Sequence, residues 1–141
     1  MRDLMNAIHL ARALSPTAAV TDNTAFVSQI VDRRGHESLV FAILTGSLAD
    51  ADATFAVTMS HGDDPALGDA EAVPDDQILG SLAAAGFAFG DDDEVRKLGY
   101  RGPRRYVRLT VTPSGNSGAA YVAAIAILGH PATQPTANPP S

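Results

Sequence analysis

From residue 24 onward the apolar positions of this chain fall mostly two apart, the spacing of β-strands rather than helices. Residues 24–32 (TAFVSQIVD) set Ala25, Val27, Gln29 and Val31 opposite Phe26, Ser28 and Ile30, and Arg33-Arg34-Gly35 turns the chain. Residues 37–44 (ESLVFAIL) are almost wholly apolar from Leu39 on, which predicts a strand buried on both faces and stopped by Thr45-Gly46. Residues 53–60 (ATFAVTMS) alternate again, with Phe55, Val57 and Met59 on one side. Strands this close together, with short turns between them, predict an antiparallel meander.

The second half repeats the pattern. Residues 81–89 offer Phe87 and Phe89 to one face, and 94–100 form a short strand with a bulge near Gly99. Residues 104–112 (RRYVRLTVT) are the best strand in the chain, with Val107, Leu109 and Val111 facing away from Tyr106, Arg108, Thr110 and Thr112. Pro113 is expected to stop it, and 115–118 (GNSG) to act as a hairpin turn into 119–128. That last strand is apolar on both faces and rich in alanine, which implies close packing against a second sheet or a neighbouring subunit. The expected fold is all-β, an antiparallel sandwich or partly closed barrel of about seven or eight strands.

Two ends and one middle segment lie outside that pattern. In 1–16, Leu4, Ile8, Ala11 and Leu14 fall at helical spacing, which allows a short amphipathic helix; helical or extended, this segment reads as an arm that docks on its own domain or on a neighbouring subunit. Residues 131–141 read as an extended Pro-rich tail, leaving 17–130 as the β domain. Residues 61–80 hold six acids, two prolines and three glycines, and read as a long acidic loop.

Composition narrows the chemistry. A chain of 141 residues with 45% hydrophobic and 18% charged residues suits one globular domain. A net charge of −6 argues against nucleic acid as a partner, and no apolar run approaches the roughly 20 residues that span a bilayer. The start MRDLMNAIHLARAL is broken by Asp3, Asn6, His9 and Arg12, unlike a signal peptide, so the expected product is soluble and made in the cytoplasm. Without cysteine there are no disulfides and no thiolate metal sites. His9, His36, His61 and His130 are scattered and lack zinc-ligand spacing, while Asp63-Asp64 and 91–94 lack the spaced pattern of a calcium loop. No serine sits in a nucleophile motif and the GNSG run lacks the lysine of a phosphate loop. The expectation is a non-enzymatic protein without a cofactor.

Charge, in contrast, is sharply segregated. Residues 50–93 hold eleven Asp or Glu and no Lys or Arg, whereas six of the ten basic residues fall between 96 and 108. Arginine and tyrosine carry planar contact area and directional hydrogen bonds, which suits protein interfaces. Arg101, Arg104, Arg105, Tyr106 and Arg108 are therefore candidate partner-interface residues, together with Leu4, Ile8 and Leu14 of the arm. Their carboxylate partners are expected across a subunit boundary, with pairing inside the subunit as the alternative.

The segments MRDLMNAIHLARALSP, TGSLADADATFAV, GYRGPRRYVRLTVTP and AILGHPA resemble a group of small structural proteins encoded among the capsid genes of tailed bacteriophages and prophages. That resemblance implies a virion component at the capsid surface, a decoration or cement protein that binds the assembled major capsid protein, or else a head–tail or tail component. Symmetric sites on a shell imply a closed homo-oligomer, here a trimer. The contrasting reading is a free-standing carbohydrate- or ligand-binding β-module.

Overall fold

The computed structural model describes residues 2–140. In chain order its strands are β1 (His9–Leu14), β2 (Phe26–Val27), β3 (Val31–Asp32), β4 (His36–Leu48), β5 (Thr54–Gly62), β6 (Glu71–Ala72), β7 (Ile78–Leu79), β8 (Phe87–Ala88), β9 (Val95–Tyr100), β10 (Tyr106–Ser114) and β11 (Ala120–Pro131), with one short helix, α1 (Leu82–Ala85). They form two antiparallel sheets. One runs β1-β11-β4-β9-β7; in the other, β10 and β5 are the long central pair, flanked by β2 and β3 on one side and by β6 and β8 on the other. The architecture is a sandwich, not a closed barrel, and five of its eleven strands are two-residue pieces that complete the edges of the six long ones.

Period-two burial builds the core. Leu39, Phe41 and Ile43 of β4, Ala124, Ala126 and Leu128 of β11, Val57 and Met59 of β5, and Val107, Leu109 and Val111 of β10 belong to one buried cluster. Phe87 stacks on Phe55 at 4.9 Å between ring centroids, which ties β8 to the sandwich. The alanines of β11 do pack closely, since Ala120, Ala124 and Ala126 all face inward and are fully buried.

The connections differ from those expected. Strands β2, β3 and β5 lie in one sheet and β4 in the other, so 24–60 is not a meander but a chain that crosses the sandwich at almost every turn. The same holds at 115–118. β10 and β11 lie in different sheets, so the GNSG run is an arch, not a hairpin. Gly115 takes the left-handed φ of +67° that the arch needs. Buried Asn116 then fixes its far side: Nδ2 donates to the Val20 and Asp22 carbonyls (3.3 and 2.9 Å), and the Asn116 N–H donates to Asn23 Oδ1 (2.9 Å). Past the arch, Ala120 pairs with Val20, and the Ala119 carbonyl accepts from Ala49, so the chain has no ladder with β10 to return to.

Pro113 does not end β10, which runs to Ser114 opposite Thr54. Leu109 turns its backbone carbonyl toward Ser28 on the β2 side, so at period two Pro113 also faces that side, where β2 starts only at Phe26 opposite Val111. Its missing N–H therefore breaks no ladder bond. β4 passes through Thr45-Gly46 to Leu48, because Thr45 points inward and its Oγ1 accepts from the Glu94 N–H (2.9 Å). No register shift occurs at Gly99; a side chain there would meet Leu79 Cβ at 2.8 Å, so glycine lets β7 lie flat on β9.

Of the helical and extended forms open to the N-terminal arm, the structure takes the extended one. One 3-10 turn (Met5–Ala7) leads into β1, which pairs with β11 as the edge of the five-stranded sheet. An isolated short helix is marginal in water, and the open edge of β11 offers it a full ladder of hydrogen bonds instead. The acidic stretch 61–80 is also more ordered than a loop, since β6 pairs with β5 and β7 with β9, carrying the chain from one sheet to the other.

Replacing Asn116 by alanine removes the side-chain anchor of the arch: the Asp22 carbonyl loses this donor, and the Val20 carbonyl keeps only that of Ala120. The variant is expected to lose about 1–3 kcal/mol in urea unfolding. Ser114→Ala, at the exposed end of β10, is expected to stay within about 0.5 kcal/mol of the parent.

Candidate protein interaction surface

The residues singled out by charge lie together at one end of β10, and most of them find partners inside the chain. Arg105 grips Asp32 with two hydrogen bonds (2.8 and 2.9 Å), and Arg104 reaches Asp63 at 2.6 Å. Arg101 Nε donates to the Asp76 carbonyl (2.8 Å). Strand register explains this: Tyr106 stands between Asp32 of β3 and Gly62 of β5, so the arginines just before it meet Asp32 on one side and Asp63 on the other. The Arg105 hydrogen bond holds the Asp32 carboxyl below the usual carboxylate range. Tyr106 is 8% exposed beneath the Arg105 guanidinium, too buried to offer a partner its ring. Arg108 stands outward opposite Ser60, and its Nε is buried without a hydrogen-bond partner among the described residues.

The stripe of Leu4, Ile8 and Leu14 does not survive the change from helix to strand. A register shift between Arg12 and Leu14 turns Leu14 onto the core, Ile8 is half-buried, and Leu4 alone of the three is fully exposed.

A polar pair is buried beside the arginine end. His61 Nδ1 lies 2.7 Å from the Tyr100 hydroxyl, which also accepts the Arg104 N–H (3.0 Å). The Tyr100 hydroxyl thus joins the His61 ring to the backbone just before β10. Arg33 lies over the Tyr100 ring and donates to the Gly102 and Arg104 carbonyls. Burial, followed by the charge of Arg104, pushes the His61 imidazole below its ordinary pKa, and burial pushes the Tyr100 phenol up. The other histidines are less scattered than their sequence positions imply. The His9 and His36 rings are 5.6 Å apart, and His130 Nδ1 bonds Ser38 Oγ. Among the described residues no three His, Asp or Glu side chains form a metal-holding group.

The surface that stands out was hidden by the expectation of burial. β4 and β11 are buried on one face only, and their outward residues are also apolar. Cross-strand pairing sets these residues in rows: Leu10, Ile127, Val40 and Gly99, then Leu79; next Arg12, Ile125, Ala42 and Lys97; then Ala123, Leu44 and Val95. Among the described residues, six of the ten exposed large hydrophobic side chains belong to this face, with Leu44 at 51% and Val95 at 63% exposure. Tyr121, Ala123, Leu44, Gly46, Pro16 and Asp93 line a shallow depression of about 250 Å³ at one corner. The outer face of the other sheet is its opposite, with Thr54, Thr58, Ser60, Thr110 and Thr112 toward solvent. A solvated sheet face ordinarily alternates to polar residues, so this apolar field is the candidate contact surface. The signal was present in the sequence as apolar runs on both faces of two neighbouring strands.

No protein-family model matches the sequence, and no curated protein matches it. The fold is similar to that of the PBSX exported protein XepA, with a TM-score of 0.56 at 13% identity over 98% of this chain. This chain spans 42% of XepA's length. It is also similar to a chain of the capsid of Ralstonia phage GP4, with a TM-score of 0.51 at 11% identity, covering 92% of this chain and 88% of that one. A xylan-binding module, CBM15, aligns over 93% of this chain at a TM-score of 0.42. The likenesses to XepA and to the phage capsid chain show a shared fold.

Because the folded His61 holds its proton less tightly than the unfolded one, its contribution to stability is complete above about pH 6.5 and is lost as pH falls below it. Unfolding free energies measured in urea are expected to drop as the pH is lowered through about 6.5. His61→Phe is expected to flatten that slope, and an unchanged slope would reassign it to other groups.

Proposed function

We propose that this chain is a non-enzymatic structural protein of a tailed-phage virion, a decoration protein that seats the apolar outer face of its five-stranded sheet on the major capsid protein. The observation that carries the proposal is that face: half-exposed Leu44, Ile125 and Leu10 in cross-strand rows, with Tyr121 at the corner beside Gly46. Covering the exposed half of each such side chain contributes on the order of 1 kcal/mol, so a handful of them outweighs one surface ion pair. The likeness to a chain of a phage capsid supports the reading at the level of the fold. Arg12 and Lys97 stand at the two ends of the middle row, three strand spacings or about 14 Å apart. They fit a partner that carries carboxylates on either side of an apolar patch.

On a shell the affinity of each site need not be high. Three copies around a three-fold position engage together, and linked binding multiplies the strength of single contacts. The arginine end of β10 is secondary in this reading, because Arg104 and Arg105 already have carboxylates in their own chain.

The test is co-sedimentation with empty phage heads. Leu44→Glu combined with Ile125→Glu places charge in the middle of the face without touching the core, and is expected to weaken binding by about 100-fold. Arg108→Glu and Thr58→Glu, on the opposite sheet, are expected to bind as the parent does. Loss of binding in Arg108→Glu, with retention in the double variant, would return the interface to the arginine face.

A further inference from the structure

The last residues of the chain fold back on the first. Thr136 donates its N–H to the Asn6 carbonyl (3.1 Å), and its Oγ1 bonds the Ile8 carbonyl. Beside them Met5, Ile8 and Leu10 meet Ala137, Asn138 and Pro140 around a small depression of about 80 Å³. Upstream, Ala132 donates its N–H to the Gly35 carbonyl (2.8 Å). The tail is thus pinned at its root and at Thr136.

We propose that this tail is an exchangeable clasp: residues 133–140 leave the groove of their own chain and fill the same groove on a second copy. The groove accepts the segment already, so exchange needs no new complementarity, only a change of which copy supplies it. The fit in place is partial. Met5 remains 62% exposed although it borders the same depression as the tail. The bonds past the root come from Thr136, so release is a local event that leaves both sheets intact. Pro135, Pro139 and Pro140 keep a released tail extended, which lowers the entropy lost when it docks again. Eight residues at about 3.1 Å each reach about 25 Å, enough to cross to a neighbouring domain. The groove also runs into Leu10, at the margin of the apolar outer face, so copies seated side by side on one surface present grooves and tails to one another.

Mass action sets when exchange occurs. A short tether gives a copy's own tail an effective concentration on the order of 1 mM, so the dilute protein keeps its clasp closed. Copies held together at similar local concentration exchange it.

The chain has no cysteine, so single cysteines report the contact cleanly. Met5→Cys and Ala137→Cys proteins are mixed, oxidised from about 1 μM up to about 1 mM, and resolved by non-reducing electrophoresis and mass spectrometry. The expected result is a mixed disulfide in excess of the two like-with-like products, growing with concentration. Adding Thr136→Pro to the Ala137→Cys chain, which removes the N–H that bonds Asn6, is expected to abolish that excess. A purely statistical mixture of products at every concentration overturns the proposal. So does a double variant, Met5→Cys with Ala137→Cys, that closes only on itself at the highest concentration.

Discussion

Two sheets sharing one apolar core is the constraint from which the other features follow. Phe41, Ile43, Ala124 and Ala126 are buried together with Val57, Met59, Leu109 and Val111, and no element can leave that cluster without opening it. Because the chain crosses between sheets at nearly every turn, consecutive strands are held by the core and by their sheet neighbours rather than by each other. The loops at the ends therefore carry unusual polar work. Asn116 binds the 20–23 segment, and Asp50 accepts from both Ser117 N–H and Oγ, so the arch is tied to two other crossings.

Local structure was legible in the sequence; partnership was not. The strands at 104–112 and 53–60 follow directly from period-two alternation and that at 37–44 from its apolar run, and the inward set Val107, Leu109, Val111 is the buried one. Which strand lies beside which depends on long-range packing, and a Gly-Asn-Ser-Gly turn looks the same whether it closes a hairpin or arches between sheets. At the N-terminus the short run HLARAL satisfies helical and strand periods alike. An available sheet edge decided the matter, and the bulge near Ala13 scrambled the alternation that would have revealed it.

The candidate surface shows the same division. Charge segregation correctly gathered Arg104 and Arg105 with acids, but Asp32 and Asp63 become their partners only through the register of β3 and β5 on β10. Those pairs close within the chain, which leaves the arginine end largely neutralised. The apolar outer face was visible as residues and misplaced as environment. Apolar residues on both sides of β4 and β11 imply two buried faces, and the fold covers only one of them.

That one-sidedness has a consequence for how the sheet finds its alignment. In most half-buried strands a slip by one residue exposes the oily side and is rejected on polarity. Here a slipped β4 would present Val40, Ala42 and Leu44 to the core in place of Leu39, Phe41 and Ile43, an exchange of one greasy set for another. Selection must then rest on volume and on a few polar pins. Inward alanines on β11 leave room that only Phe41 and its neighbours fill, and Thr45 meets the Glu94 N–H and the Asp91 carbonyl in one alignment alone. Thr45, a single hydroxyl in an oily strand, works as the molecule's indexing tooth.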